Sequence, residues 1–470
     1  MSNSKGADML SPNTAQQVID HALLKGADFA EIYIERHLSS NLRTLNNDVD
    51  GVQSGIDFGI GIRLFFGFEI FYGYTQSDDL KSLYGLVDQL TAQKQAVDSP
   101  LKVVEFKSPV IQRLHRDATK PLSVASFNEE KVAFLRKAHA AAQASSPLIQ
   151  TTKGFVIQRE QHIEIYNSEG LHVQDTRHYS RSGLTAIAKD GHQATGSWNT
   201  GGLIGWELVN EMEASYMGEE ASRQALVNLK AKPCPSGTMP VVIGNGFGGV
   251  IFHEACGHLL ETTSVAKKAS VFHDQLGEMI ASECVNAVDE GVSVNAWGSL
   301  NLDDEGMQTQ NTQLIKNGKL ERFIVDKMGA MQTGYERTGS GRRQNYRFAP
   351  ASRMRNTYIQ GGTDSVDDMI ASIDKGIYAS HMGGGSVQPG TGEFNFAVVE
   401  GYYVENGKIQ YPVKSATLIS TGPEVLKQIS MVGSDFAMAC GMCGSVSGSI
   451  PASVGQPTIK VDKILVGGNA

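Results

Sequence analysis

The 470-residue chain is poor in cysteine, has no long apolar run and carries no excess of positive charge. Its five cysteines are an odd, sparse set, unlike the dense, even framework of a small secreted protein. No stretch of about eighteen apolar residues is present, so no transmembrane helix is expected. The net charge of −9 argues against a generally basic surface for nucleic acid, and the first residues lack the basic and apolar regions of a secretory signal. We therefore expect a cytoplasmic protein with reduced thiols that binds neither membrane nor nucleic acid directly.

Hydrophobic periodicity predicts an α+β fold with three domains. In residues 1–107, a capped helix in "SPNTAQQVIDHALLKGAD" precedes alternating strands, two of which turn at Gly67, and a second helix. Residues 108–232 are predicted to hold an antiparallel sheet between two helices. The breaker cluster "KPCPSG" then opens residues 233–470, a larger mixed domain of short strands, glycine-rich turns and a few helices. This last domain carries the candidate site.

The segment "MPVVIGNGFGGVIFHEACGHLLE" contains two overlapping signals. A strand followed by Gly244, Gly246 and Gly249 at G-x-G-x-x-G spacing has the outline of a dinucleotide-binding turn. The regular βαβ alternation and the acidic strand end expected downstream are missing. Glycines that allow a tight turn and close helix packing are therefore the favoured interpretation.

His253, Glu254 and His258 lie between apolar residues on the predicted helix. Burying them without partners costs roughly several kcal/mol, and a divalent metal bound by the imidazoles would satisfy them. Histidines five residues apart differ by about 140° around a regular helix, against about 40° for four apart. We therefore predict a bulge or kink within residues 255–258, of the π-bulge kind, with Gly257 relieving the distortion.

A catalytic zinc needs a third protein ligand and an open position for water. Glu261 is the local candidate, and Cys440 and Cys443 in "MACGMCGSVSG" are the distant ones. The same C-x-x-C pair fits a redox couple, although it is expected in a glycine- and serine-rich coil and not between a strand and a helix. The residues alone leave these choices open.

Several segments resemble the TldD branch of the TldD/TldE (PmbA) zinc metallopeptidases. They are "GIGIRLFFGFEIFYGYT", "PVVIGNGFGGVIFHEACGHLLE", "RMRNTYI", "GEFNFAVVEGYYVENGKI", "SATLISTGPEVLKQISMVGSD", "GMCG" and "VGQPTIKVDKILVGG". The resemblance covers nearly the whole chain, and H-E-x-x-x-H with a late G-M-C-G is a specific combination. The stretch "LLETTSVAKKASVF" departs from it by lacking the glycine-acidic pair that some members have after the motif.

The resemblance implies a zinc-dependent peptidase that hydrolyses small or unfolded peptides and proteins. It implies His253, His258 and Cys443 as zinc ligands and Glu254 as general base. Glu261 then either orients a ligand histidine or forms a simple salt bridge. A dimer is also implied, with a second copy or with a metal-less paralogue. The alternative function is a non-catalytic, peptide-binding regulator of the gyrase-modulator type, in which the same residues hold a structural metal.

Further expectations concern side chains outside this set. Cys440 is expected close enough to Cys443 to compete for metal or to oxidise with it. Asp303 to Glu305 in "DDEG" predict a solvated turn. The hairpin "EFNFAVVEGYYV" offers either an edge for an extended peptide or an ordinary core hairpin. Candidates for a second electrophile, each more readily explained as structural or exposed, are Arg353, Arg355, His381 and Tyr402. Histidines expected on a solvated strand face are His162, His172 and His178.

Overall fold

The computed structural model of the chain describes residues 8–94, 105–388 and 390–468. The helices and strands of the N-terminal half are α1 Pro12–Leu24, β1 Phe29–Leu45, β2 Asp48–Phe66, β3 Glu69–Thr75, α2 Leu80–Thr91, α3 Asn128–Ser145, β4 Ile149–Asn167, β5 His172–Asp190, β6 His192–Gly202 and α4 Ala214–Leu229. Those of the C-terminal half are β7 Lys232–Pro233, β8 Gly237–Ile243, α5 Val250–Ala255, α6 Thr262–Val265, β9 Ala287–Glu290, β10 Asn311–Lys316, β11 Lys319–Leu320, α7 Lys327–Thr333, β12 Gly341–Arg342, β13 Ala351–Ser352, β14 Asn356–Ile359, α8 Val366–Ala371, β15 Lys375–Gln388, β16 Glu393–Glu405, β17 Lys408–Lys414, β18 Thr417–Thr421, α9 Gly422–Lys427, β19 Ile429–Val432, β20 Ala437–Ser445, β21 Gly448–Gln456 and β22 Ile459–Gly467. Short 3-10 helices lie at Trp206–Glu211, Gly246–Gly249 and Gly257–Leu260.

Strands β1 to β6 form one antiparallel sheet in the order β3-β2-β1-β4-β5-β6. β1 pairs with β2 along one edge and with β4 along the other, so it joins the first hairpin to the later meander. The predicted boundary between residues 107 and 108 therefore runs through the connection between two parts of one sheet. The division into three domains stays a prediction.

Strand β1 contributes side chains to three apolar clusters: Ile32, Ile34 and Leu42 lie on one face at different points along the strand, and Tyr33 lies on the opposite face. Ile32 and Ile34 pack with α1 and α2, and Leu42 packs with α3 and α4. Tyr33 belongs to a third cluster with Leu302, in the C-terminal half. This period of two is what the sequence displays, and the predicted helices, first hairpin and meander are confirmed.

The C-terminal half holds two larger sheets with the candidate site helix between them. One sheet has the order β11-β10-β9-β14-β21-β20, and the other has the order β15-β8-β22-β18-β16-β17-β7. Phe252 and Leu259 share one apolar core with Val461 of the second sheet and Ala452 of the first. The mixed α+β class is confirmed. Within the described ranges, no helix is both long and apolar enough to span a bilayer.

The glycines between β8 and α5 serve close packing. A Cβ at Gly249 would lie 2.5 Å from backbone atoms of Gly455 on β21, a separation that no side chain tolerates. The helix that follows is only six residues long. These contacts favour the packing interpretation of the G-x-G-x-x-G spacing over a dinucleotide site.

The prediction of a solvated turn at "DDEG" is wrong. Asp303, Asp304 and Glu305 are all buried. Glu305 accepts a hydrogen bond of 2.7 Å from Arg63 Nη1, and Asp304 accepts one of 2.6 Å from Arg177 Nη1. Because these arginines lie 242 and 127 residues away in the chain, the local sequence gives no sign of them. The acidic run is thus one side of a buried ion-pair network that joins the N-terminal sheet to the C-terminal half.

A substitution of Arg63 tests how much this network contributes to the free energy of unfolding, because the Arg63 guanidinium lies between Glu31 and Glu305. Arg63→Met should lower the free energy of unfolding by about 3–5 kcal/mol, since two buried carboxylates lose one of their arginine partners and keep only Arg343 and Arg337. The measurement is urea denaturation followed by circular dichroism. Arg113→Met is the control, because Arg113 is 71% exposed and paired with Asp117, and should change stability by less than about 1 kcal/mol. Equal losses in the two variants would contradict the assignment.

Candidate metal centre

The helix that carries the HEACGH segment is broken within the predicted interval. α5 ends at Ala255, and Cys256 has φ −133°, far from the helical value, with ψ −55°. The chain then resumes as the 3-10 helix Gly257–Leu260. The predicted distortion is confirmed, but its form is a terminated helix and a fresh 3-10 turn, not an inserted π-bulge.

Because of this break, the side chains of both histidines contact the same sulfur atom. His253 Nε2 lies 3.1 Å from Cys443 Sγ, and His258 Nε2 lies 3.2 Å from the same atom. His253 and Cys443 are buried, and the His258 side chain is 11% exposed. The structure thus brings together the three predicted ligands, although Cys443 lies 185 positions from His258 and 190 from His253 along the chain.

Gly257 has a different role from the expected one. The distorted backbone angles belong to Cys256, not to Gly257. A Cβ built on Gly257 would lie 2.1 Å from Met354 Sδ, and Met354 is fully buried. The glycine is therefore needed for the close approach of Met354, which packs against the 3-10 turn that presents His258.

The C-x-x-C segment is a strand and not the predicted coil. Cys440 and Cys443 both lie on β20, which pairs with β21 in a hairpin. Because side chains alternate along a strand, residues three apart point to opposite faces. Cys440 Sγ donates to the Gly201 carbonyl at 3.2 Å and packs against a cluster that contains Trp297. The expectation that Cys440 competes for the metal or pairs with Cys443 is wrong.

Two carboxylates flank the donor atoms. Glu261 Oε2 lies 3.0 Å from His258 Nδ1, so it can accept the proton on the ring nitrogen that faces away from Cys443. This geometry fits an orienting acceptor. Glu254 Oε2 lies 3.8 Å from His258 Nε2, and its side chain is 17% exposed. Glu254 is the most accessible of these five side chains and faces the donor atoms.

The electrostatics of the cluster favour a thiolate. Burial by itself raises the pKa of Cys443, but His253 and His258 outweigh it and hold the pKa well below its usual value. Burial lowers the pKa of His258, while Glu261 and Cys443 reverse that effect and raise it well above its usual value. Burial raises the pKa of Glu254, against the opposing effect of the two histidines. A thiolate is the form of cysteine that binds metals.

The donor set fits zinc. The ligand atoms of His253, His258 and Cys443 all lie within 4.8 Å of one another. A tetrahedral zinc with bonds of about 2.0 Å to nitrogen and about 2.3 Å to sulfur holds those atoms roughly 3.5 Å apart, so a small outward adjustment accommodates the ion. Three protein ligands with an acidic residue beside them is the composition of a catalytic rather than a structural site.

The four candidate electrophiles lie in different surroundings. Arg353 is buried beside the site, and its Nη2 donates to the Cys443 carbonyl. Arg355 is equally buried but pairs with Asp289 at 2.9 Å. His381 and Tyr402 both lie near Glu400, at 3.5 Å and 2.6 Å. Arg353 alone of the four contacts one of the predicted ligand residues.

The other expectations have mixed outcomes. β16 pairs with β15 on one edge and with β17 and β18 on the other, so β16 itself has no free edge for a peptide. His162 and His178 both face the buried carboxylate of Glu160. His172 lies 2.8 Å from Glu164, whose oxygens also accept from Tyr166 and Gln174. The strand histidines thus contact buried carboxylates and do not form the predicted solvated face.

Three domain descriptions of PmbA/TldA metallopeptidases match the chain: domain 1 over residues 30–94, the central domain over 125–229 and the C-terminal domain over 236–468. A "Metalloprotease TldD homolog" of Haemophilus influenzae is 35% identical over 467 residues, which is 98% of this chain and 97% of the relative. The chain belongs to the PmbA/TldD metallopeptidase family. A "Zinc metalloprotease TldD homolog" of Saccharolobus solfataricus is 28% identical over 94% of this chain and 97% of that one.

Two solved structures share the fold of this chain. A candidate modulator of a DNA gyrase from Thermotoga maritima superposes with a TM-score of 0.78 at 20% identity, covering 97% of this chain and 99% of that one. TldE from Thermococcus kodakarensis gives a TM-score of 0.75 at 18% identity, covering 97% of this chain and all of that one. The same fold therefore occurs in proteins with different names.

The contact between Gly257 and Met354 can be tested by overpacking. Gly257→Ala should lower the free energy of unfolding by about 1–3 kcal/mol, because the added methyl group overlaps Met354 Sδ. Thermal and urea unfolding measure the change, and a smaller side chain in Gly257→Ala/Met354→Val should recover part of it. Gly361→Ala is the matched control, because a Cβ there meets nothing within 4 Å. A loss in the control as large as in Gly257→Ala would contradict the assignment.

Proposed function

We propose that the protein is a zinc-dependent peptidase that hydrolyses small or unfolded peptides, with His253, His258 and Cys443 as zinc ligands and Glu254 as general base. The observation that carries this proposal is the convergence of two imidazoles and one thiol on a single point, with a partly exposed carboxylate beside it. The names of relatives as metalloproteases, one of them a zinc metalloprotease, support it.

Glu254 has the position and the basicity for proton transfer. Zinc at this donor set supplies a Lewis acid that polarises a carbonyl group and makes a water molecule more acidic. Glu254 accepts a proton from the attacking water at a carboxylate oxygen and gives it to the nitrogen of the leaving amine. In the metal-free protein, burial raises the pKa of the Glu254 carboxyl group above its usual value. Glu261 orients His258 through Nδ1 during these steps.

The burial of the site supports flexible substrates. His253 and Cys443 are almost inaccessible, and only Glu254 and His258 keep partly exposed side chains. A scissile bond can reach Glu254 and His258 only in an extended chain, because a folded protein is too bulky to approach the buried donor atoms. We infer selection for unfolded or short peptides on this ground.

The assembly and compartment belong to the same proposal. We infer a dimer formed with a second copy or with a metal-less paralogue. The presence of a TldE among the structural relatives supports a partner with this fold. The sparse, unpaired cysteines support a cytoplasmic location.

Glu254→Gln separates a peptidase from a metal-holding regulator. The variant should lose about 100-fold or more in kcat on an unstructured fluorogenic peptide, since it cannot accept a proton, while its zinc content stays at the parent level. Glu278→Gln is the control, because Glu278 is exposed and should leave both quantities unchanged. A parent protein that binds zinc and cleaves no unfolded peptide, or a Glu254→Gln variant as active as the parent, would favour the regulator.

The third ligand can be fixed by metal analysis of two serine variants. Cys443→Ser should lose its zinc after gel filtration, because a neutral hydroxyl group is a much weaker ligand than a thiolate. Cys440→Ser should keep one zinc per subunit, because Cys440 faces away from the site. Mass spectrometry measures the zinc content of each variant. Equal zinc retention by the two variants would contradict the assignment of Cys443 as a ligand.

A further inference from the structure

Arg353 lies behind the metal centre, where it contacts both the strand of one ligand and the carboxylate behind another. Its side chain is fully buried. Nη2 donates to the carbonyl of Cys443, and Nη1 donates to Ser447 Oγ at 2.9 Å and to the Gly448 carbonyl at 3.0 Å. These three acceptors lie within the β20–β21 hairpin, so one guanidinium holds the end of the strand that presents the Cys443 sulfur.

The remaining nitrogen of Arg353 faces Glu261. The distance from Arg353 Nε to Glu261 Oε1 is 3.8 Å, and neither atom has a hydrogen-bond partner among the described residues. The other oxygen of Glu261 lies 3.0 Å from His258 Nδ1. A continuous line of polar contacts therefore runs from the guanidinium through one carboxylate to the imidazole.

The backbone around Arg353 keeps this line in place. Ser352 Oγ accepts from Thr262 N, which follows Glu261 in the chain. The Arg353 N–H donates to the Ser340 carbonyl at 2.9 Å. Met354 packs against Gly257 on the other side of His258. Residues 352–354 thus contact the His258 turn and the Cys443 hairpin at once.

We propose that Arg353 is a positioning residue for the metal site, which sets the separation between the Cys443 sulfur and the His258 imidazole by binding the hairpin carbonyls and Glu261 together. This role rests on the proposed zinc site. It differs from that of an electrophile, because a fully buried guanidinium occupied by three acceptors has no free face for a substrate carbonyl. Partners of this kind are worth about 10–100-fold in metal affinity.

Arg353→Lys is the test, because lysine keeps the charge but cannot reproduce the forked contacts of a guanidinium. The variant should bind zinc about 10–100-fold more weakly than the parent in a competition titration with a chromophoric chelator. With cobalt in place of zinc, its visible absorption bands should shift, since the arrangement of sulfur and nitrogen around the ion changes.

Arg355→Lys is the matched control. Arg355 lies two residues away, is equally buried and bonds to Asp289, away from the site. It should lose a similar amount of metal-free stability while keeping the parent's zinc affinity and cobalt spectrum. Equal zinc affinity in Arg353→Lys and the parent, or equal weakening in both lysine variants, would overturn the positioning role and leave the peptidase proposal standing. A parent that binds no zinc would overturn both.

Glu261→Gln tests the contact of Arg353 with Glu261, which in turn faces His258. Glutamine still offers an oxygen to His258 Nδ1 but no longer a charge to Arg353, and zinc affinity should fall about tenfold. Because the two residues act through one contact, Arg353→Lys/Glu261→Gln should be clearly less impaired than the product of the single effects. If Arg353→Lys does not fold, Glu261→Gln decides alone, and unchanged zinc affinity in it overturns the proposal.

Discussion

Two imidazoles five residues apart can meet one sulfur atom only if the helix that carries them is broken. The break at Cys256 is the constraint on which the site depends, because a continuous helix would separate His253 and His258 by about 140°. The chain stabilises this irregular turn by packing on every side. The apolar residues around it belong to the same core as both C-terminal sheets, and Met354 fills the space left by the missing side chain of Gly257.

Buried carboxylates in several parts of the molecule face groups that carry or can carry positive charge. The acidic run at Asp303 to Glu305 meets arginines from the N-terminal sheet, and the carboxylate of Glu261 meets His258 on one side and Arg353 on the other. The arginines in these pairs are distant in sequence from the carboxylates that they face. Losing one member leaves the other charge buried, which costs more than the pair contributes. The candidate metal site thus lies beside buried charged groups whose partners come from distant parts of the chain.

The sequence predicted the features that depend on local pattern. Alternation and helical periodicity gave the first hairpin, the meander and the helices, and the spacing of His253 and His258 gave the distortion of the helix. The resemblance of "GMCG" to the family motif pointed to Cys443, which spacing alone did not distinguish from Cys440. Long-range contacts explain the errors. "DDEG" is polar and contains glycine, so it has the composition of a solvated turn, yet Arg63 and Arg177 bury it.

The strand within "MACGMCGSVSG" was not predicted, because its glycines and small residues are typical of coil and its pairing partner lies elsewhere in the sequence. Pairing with β21 imposes extended structure on residues of weak strand propensity. Arg353 was one of four candidates with no pattern to distinguish them, because its partners are a main-chain carbonyl 90 residues away and the hairpin turn that follows it. Hydrogen bonds of this kind produce no periodic pattern in the sequence from which they could be predicted.

The distance along the chain between the ligands has a consequence for biosynthesis. Cys443 is translated 185 residues after His258, and its strand pairs with β21, which is made later still. A nascent chain therefore carries both histidines and Glu254 long before it can complete the donor set. A polypeptide that stops before Cys443 holds both histidines but lacks the thiol, so it cannot complete the proposed donor set.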